Sequence, residues 1–310
     1  MLKKYLFFWI AAASCSFSIH ATELTFTAIG DQPYFSDEAF SALIKKINAD
    51  TSSQFTIHVG DIKHGAATCS DERFLSVKKL FDEFTAPLIY TPGDNEWTDC
   101  HRASNGSYNQ LERLQKLRSL FFEKSTTLGH KKIKLERQGD IASTYNAYVE
   151  NARWTTQQIT FITIHQVGSN NNLDPNVPGA IEEYKKRNAA NIAWLKDSFN
   201  DAKNKNSLAI VIAMQSDIFD FYIPKESGFK DFIQTMIALA TSYKRPILLI
   251  EGDSHQFKVD QPIQDSNGVI VSNILRMIVP GANLVEAVQV KVDTQESVIT
   301  NTFKFKKYGF

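Results

Sequence analysis

Four strand-like apolar stretches in this chain each run straight into Gly-Asp: TFTAI before Gly30-Asp31, FTIHV before Gly60-Asp61, LIYTP before Gly93-Asp94 and ILLIE before Gly252-Asp253. A single such corner is an ordinary turn signal. Four of them constrain the fold, because parallel strands of one sheet would gather all four carboxylates in one crevice outside their carboxyl ends. Gathered carboxylates repel one another unless a cation neutralises them, so the pattern predicts a metal site.

The rest of the chain is consistent with a folded α/β protein. Its 310 residues supply material for a sizeable core, and 43% hydrophobic with 22% charged residues are globular values. Lys+Arg and Asp+Glu balance at 34 each, which argues against nucleic acid as the partner. The start of the chain reads as an export signal over 1–21. Lys3 and Lys4 precede a short apolar run, Tyr5 to Ala13, and Ile19-His20-Ala21 offers a cleavage site. A membrane anchor is the alternative, and processing as a lipoprotein at Cys15 ranks lower. The mature protein is expected to be periplasmic or secreted, with no membrane span and an undetermined oligomeric state. Signal removal leaves Cys69 and Cys100, an even pair suited to a disulfide in an oxidising compartment, with two free thiols as the alternative.

Hydrophobic periodicity orders the elements. Strands are expected at 23–29, 55–59, 87–90, 145–150, 155–164, 207–214 and 246–250. Helices are expected at 36–49, 72–84, 108–122, 181–202 and 229–243, with short strands over 269–305. Leu75 is placed on the apolar face of the second helix and Leu111 on that of the third. An asparagine-rich loop occupies 169–179. No linker or repeat divides residues 22–310, so one domain is expected.

In order, GDQP (30–33), GD (60–61), GDNE (93–96), the strand end AMQSD (213–217) and GDSH (252–255) resemble the motifs of the calcineurin-like metallophosphoesterases. Those motifs read Gly-Asp-x-His, Gly-Asp, Gly-Asn-His-(Asp/Glu), a lone His and Gly-His-x-His. The resemblance implies a two-sheet β-sandwich core flanked by helices, and hydrolysis of a phosphate mono- or diester by metal-bound hydroxide. It makes Asp31, Asp61, Asp94, Asp253 and His255 metal ligands, Asp61 the bridging one, with Gln215 standing near the lone histidine. Pro33 replaces the first-motif histidine, and Asn95 replaces the histidine that resembles a general acid. Oxygen donors in place of imidazoles favour one or two Mn²⁺, Mg²⁺ or Ca²⁺ ions, with zinc or iron as alternatives.

Asn95 can orient phosphate through its NH₂ but cannot deliver a proton to the leaving oxygen. His64, His101 and His165 are the candidate substitutes, each with packing or surface placement as the plainer reading. Arg102 is a candidate for phosphate. Glu96 is a partner of a ligand or a solvated loop residue. Lys185-Lys186-Arg187 reads as the wet face of its helix. The expected partner is a small phosphorylated substrate. The rival class is an exported binding module that keeps the scaffold without catalysis, a reading that Pro33 and Asn95 favour.

Overall fold

The computed structural model describes residues 23–219, 227–296 and 298–309. The expected signal and Cys15 lie outside the described residues. Among those residues no helix is long and apolar enough to cross a membrane.

Two mixed sheets pack face to face. In the first, β1 (Glu23–Ile29), β2 (Thr56–His58) and β3 (Leu88–Tyr90) run parallel, and β11 (Glu286–Asp293) and β12 (Phe303–Gly309) extend the β1 edge antiparallel. The second is ordered β4 (Glu136–Arg137), β5 (Ala152–Thr156), β6 (Ile159–Thr163), β7 (Ala209–Ala213), β8 (Ile247–Glu251), β10 (Ile274–Ile278) and β9 (Lys258–Asp260). Its β6, β7, β8 and β10 are parallel. Alternation along the strands sends Leu24, Phe26, Val288 and Val290 from one sheet, and Phe161, Val211, Leu248 and Met277 from the other, into a shared core.

Helices cover both outer faces. Helix α1 (Asp37–Ala49) starts where Ser36 Oγ accepts the Ala39 N–H, and α2 (Asp71–Phe81) starts where Ser70 Oγ accepts the Arg73 N–H. With α3 (Gln110–Phe121), they bury Phe40, Leu43, Phe74, Val77 and Leu117 against the first sheet. The helices Ala180–Asn204 and Lys230–Tyr243 cover the second sheet with Trp194, Phe199, Phe232 and Met236.

Several expectations are corrected. The four Gly-Asp corners do not share one sheet: three follow β1–β3, and the fourth follows β8 of the other sheet. No strand occupies 145–150, where Tyr148 N–H bonds to the Tyr145 carbonyl and Gly139 N–H to that of Tyr148; turns consume the backbone donors. The single strand expected at 155–164 is a hairpin. Gln157 and Gln158 sit at φ 46° and 58°, the left-handed values of a two-residue turn. Leu75 and Leu111 are exposed, because Phe74, Val77 and Leu114 take the inward positions. Arg187 is fully buried, its guanidinium bonded to Glu183, Asn171 and the His165 carbonyl.

Candidate metal centre

Register brings the first three corners together. Ile29 pairs with His58 and His58 with Tyr90, so β1, β2 and β3 end level and their Asp31, Asp61 and Asp94 follow within four residues. In the facing sheet Ala213 pairs with Ile250, so Gln215 and Asp253 emerge side by side. The crevice therefore lies between the two sheets, at their common carboxyl end.

The backbone is bent to deliver these groups. Asp31, Asp61, Asp253 and His255 have φ of 53°, 58°, 68° and 63°, left-handed values that cost a non-glycine residue roughly 1–3 kcal/mol. Gly60, at φ 98°, lies so close to Gly93 that a Cβ there would meet the Gly93 nitrogen at 2.5 Å. His58 braces two corners from behind. Its Nδ1 accepts the Gly60 N–H at 3.1 Å, and its Nε2 is 2.7 Å from the Gln32 carbonyl, which fixes the neutral Nε2–H form. Burial lowers its pKa to about 4.

Donor atoms of Asp31, Asp61 and His255 lie within 4.8 Å of one another, and those of Asp61, Asp94 and Asp253 do likewise. Asp61 belongs to both groups. Asp31 and Asp61 are buried, and that burial, with neighbouring carboxylate charges adding to it, raises both pKa values. Burial also lowers His255, against the pull of Asp94. An open cavity of about 360 Å³ leads to these groups, with Tyr34, Phe35, His64 and Asn283 at its walls.

The other expected residues separate. Of the three candidate histidines only His64 lines the cavity, with Tyr34 and Phe35 rings 5.6 and 5.0 Å from its own. His101 is exposed and bonded to the Thr98 carbonyl. His165 is fully buried, its Nδ1 2.7 Å from Glu150 and its ring 5.2 Å from Trp97; it packs rather than faces the cavity. Asn95 lines the cavity, but its amide hydrogens are committed, because Nδ2 donates to Asp61 Oδ2 at 2.7 Å and to Tyr34 Oη at 2.8 Å.

Gln215 donates from Nε2 to Asp94 and Asp253, and its oxygen accepts the Gly168 N–H. Glu96 is no solvated loop residue. Fully buried, it accepts at Oε1 from Asp61 N–H, Gly93 N–H and the Tyr90 hydroxyl, and so holds two corners at once. Arg102 pairs with Asp99 at 2.5 Å. Cys69 and Cys100 form a disulfide, Cα–Cα 5.8 Å across 31 positions, behind the Asn95 carbonyl.

Four site neighbours escaped the sequence reading. Tyr34 sits three residues past Asp31 and donates its hydroxyl to Asp61 Oδ2 at 2.8 Å. Lys63 is a buried ammonium among the acids, its pKa lowered by desolvation against the attraction of Glu96, Asp61 and Asp99. Burial, with the Asp94 charge adding, raises Asp99 to about 7. Ser169 opens a left-handed turn over 169–172, where φ runs from 48° to 60°, and its hydroxyl reaches Asp94 Oδ2 at 2.7 Å and Asp99 Oδ1 at 3.0 Å. The asparagine-rich run was the available signal, since asparagine tolerates that conformation better than most residues.

No family model matches the chain, and no curated protein matches it. Solved structures align with 93% of it. They include GAP50, the anchor in the inner membrane complex of Plasmodium, at 14% identity over 89% of that chain with a TM-score of 0.46. TT1561 of Thermus thermophilus aligns at 10% identity over 99% of that chain, TM-score 0.46. Purple acid phosphatase PPD1 from yellow lupin (Lupinus luteus) seeds aligns at 11% over 54% of that chain, TM-score 0.48. A purple acid phosphatase is thus among the structural neighbours, while the reading of the crevice rests on the side chains described above.

Proposed function

We propose that this chain is an exported, divalent-cation-dependent hydrolase of a phosphate mono- or diester, with Asp31, Asp61 and His255 holding the ion. One observation carries the reading. Asp31 Oδ2 is buried without a hydrogen-bond partner, in the same group as Asp61 and His255. An orphaned buried carboxylate oxygen is costly, and a cation is the partner that removes the cost. Two carboxylates and one imidazole suit Mn²⁺ or Mg²⁺, with zinc or iron also matched by the donor set. The disulfide is compatible with an oxidising compartment.

A bound divalent ion supplies Lewis acidity at the phosphoryl group and lowers the pKa of a water. The chain does the rest. Asn95 and Tyr34 hold Asp61 Oδ2 in place, and Glu96 fixes the backbone beneath it. His64 accepts the Ala66 N–H at Nδ1, so in its neutral form Nε2 carries the proton. From the cavity wall that Nε2–H can hydrogen-bond the leaving oxygen and stabilise the negative charge developing on it, with the proton staying on the ring.

The test uses the purified mature protein with Mn²⁺ on an activated aryl phosphate and on an alkyl phosphate. Hydrolysis of both is expected. His64→Ala should lose about 10²-fold or more on the alkyl ester and far less on the aryl one, whose leaving oxygen carries its charge without such a donor. Asn95→His should raise the rate mainly on the alkyl ester. A second reading, a cation-binding module without catalysis, is favoured by the commitment of both Asn95 amide hydrogens to Asp61 and Tyr34. Ion binding with no hydrolysis of either ester by the parent or by Asn95→His would establish it.

A further inference from the structure

Two overlapping groups of three potential ligands suggest room for two ions, yet their hydrogen bonding differs. We propose that the Asp61–Asp94–Asp253 group is closed to a cation by the Gln215 amide, so that the chain holds a single ion, at Asp31–Asp61–His255. The inference rests on the cation reading above.

Gln215 is fully buried at the end of β7. Its Nε2 lies 3.1 Å from Asp94 Oδ1 and 3.1 Å from Asp253 Oδ1. Its Oε1 accepts the Gly168 N–H at 2.6 Å. The network fixes this orientation. Turned over, the amide would set its oxygen against two carboxylate oxygens and its NH₂ against a backbone N–H, replacing three attractions by three repulsions. The only side-chain atom of Gln215 able to ligate a hard metal ion therefore points away from the carboxylates, and the amide's positive edge points between them.

The remaining approaches are also filled. Asp94 Oδ2 accepts the Ser169 hydroxyl at 2.7 Å, so both oxygens of Asp94 meet donors. Gly168 packs against the same pair, and a Cβ on it would meet Asp253 Oδ2 at 2.7 Å and Asp94 Oδ2 at 2.8 Å. Hard divalent ions take oxygen ligands at about 2.0–2.6 Å and need lone pairs turned inward. This group instead receives the two hydrogens of a neutral amide. The Lys63 ammonium and the Arg102–Asp99 pair supply nearby positive charge. At the Asp31 end the Asn95 amide and the Tyr34 hydroxyl reach Asp61 Oδ2 and the Asp253 N–H reaches Asp31 Oδ1, but no donor meets Asp31 Oδ2.

The experiment counts ions on the full mature chain saturated with Mn²⁺, by metal analysis after dialysis, and records the electron paramagnetic resonance spectrum of the bound ion. One Mn²⁺ per chain, with no coupling to a second, is expected. Asp94→Asn should leave the count at one, and Asp31→Asn should bring it to zero. Gln215→His, which replaces the donor NH₂ by a ligating nitrogen, should admit a second ion and produce a coupled pair. Two ions or a coupled pair in the parent would overturn the inference. A folded Gln215→His that still holds one would overturn Gln215 as the closing group. No ion in the folded parent would instead sink the cation reading itself. Circular dichroism of each variant separates these outcomes from misfolding.

Discussion

At the Asp31 end of the crevice a buried carboxylate oxygen meets no donor, whereas at the Asp94 end both oxygens of Asp94 do. The two ends share Asp61 and have matching ligand spacing, and a count of carboxylates alone, three at the Asp94 end against two at the Asp31 end, would place the cation at the Asp94 end. Hydrogen-bond supply points the other way, because the unmet oxygen is on Asp31. At the Asp94 end an amide and a hydroxyl meet both oxygens of Asp94, while at the Asp31 end the donors stop at Asp61 and at Asp31 Oδ1. Clustered acids therefore indicate a cation only where the fold has not already provided the positive partners.

The largest expected contrast is between two conservative substitutions. Asp31→Asn should abolish both ion binding and ion-dependent hydrolysis, because it removes the oxygen that lacks any other partner. Asp94→Asn should keep ion binding, since its amide oxygen can still accept from Gln215. Calorimetric titration with Mn²⁺ checks both, and equal losses in the two variants would erase the distinction between the ends.

The disulfide separates the two ends by stability. It ties the loop after Asp61 to the loop after Asp94, and does not touch the Asp31 or His255 loops. Replacing Cys69 and Cys100 together by serine should cost about 3–4 kcal/mol for a loop of this length. Urea titration measures it. At temperatures where the variant stays folded, ion affinity at the Asp31 end should survive.

Acidification probes the support beneath Asp31 and Asp61. His58 is held neutral in the fold, with its pKa lowered from 6.5 to about 4 by burial. The unfolded chain then binds the proton more readily than the folded one. Its contribution is complete above pH 6.5 or so and is lost as pH falls toward 4, about 3 kcal/mol in all. The buried Asp31 and Asp61 act with the opposite sign in the ion-free protein. Their raised pKa values favour the fold as pH falls. The slope of stability against pH, compared between parent and His58→Gln over this window, isolates the histidine; identical slopes would remove it from the account.

Ser169→Ala should have the smallest effect, about 1–2 kcal/mol of stability from the lost donor to Asp94 and Asp99. Thermal unfolding reads it. The Mn²⁺ count should not change, because Gln215 still blocks the group. A second ion appearing in this variant would show that the hydroxyl, rather than the amide, keeps the Asp94 end closed.

The sequence by itself determined the corners and their chemistry. Gly-Asp at four strand ends, the positions of β1, β2, β3 and β8, and the pairing of Cys69 with Cys100 are local or compositional properties, legible because turn residues and apolar runs act over a few residues. Amphipathic spacing likewise located the five long helices, though it misassigned Leu75 and Leu111, whose burial depends on which helical stripe meets the sheet. Tertiary structure decided everything that depends on where a side-chain dipole points. Glu96 reads equally as a partner of a ligand or as a solvated loop acid until the fold buries it under Asp61 and Gly93. Tyr34 follows an unpromising Pro33 yet reaches Asp61, and Arg187 looks solvated until its helix packs on the second sheet. Gln215 is the sharpest case. Its residue type permits a ligand oxygen or a donor NH₂, and only the Gly168 N–H, delivered from a separate loop, turns the oxygen away from the carboxylates. A partner 47 residues distant in sequence sets that orientation, and no local pattern encodes it.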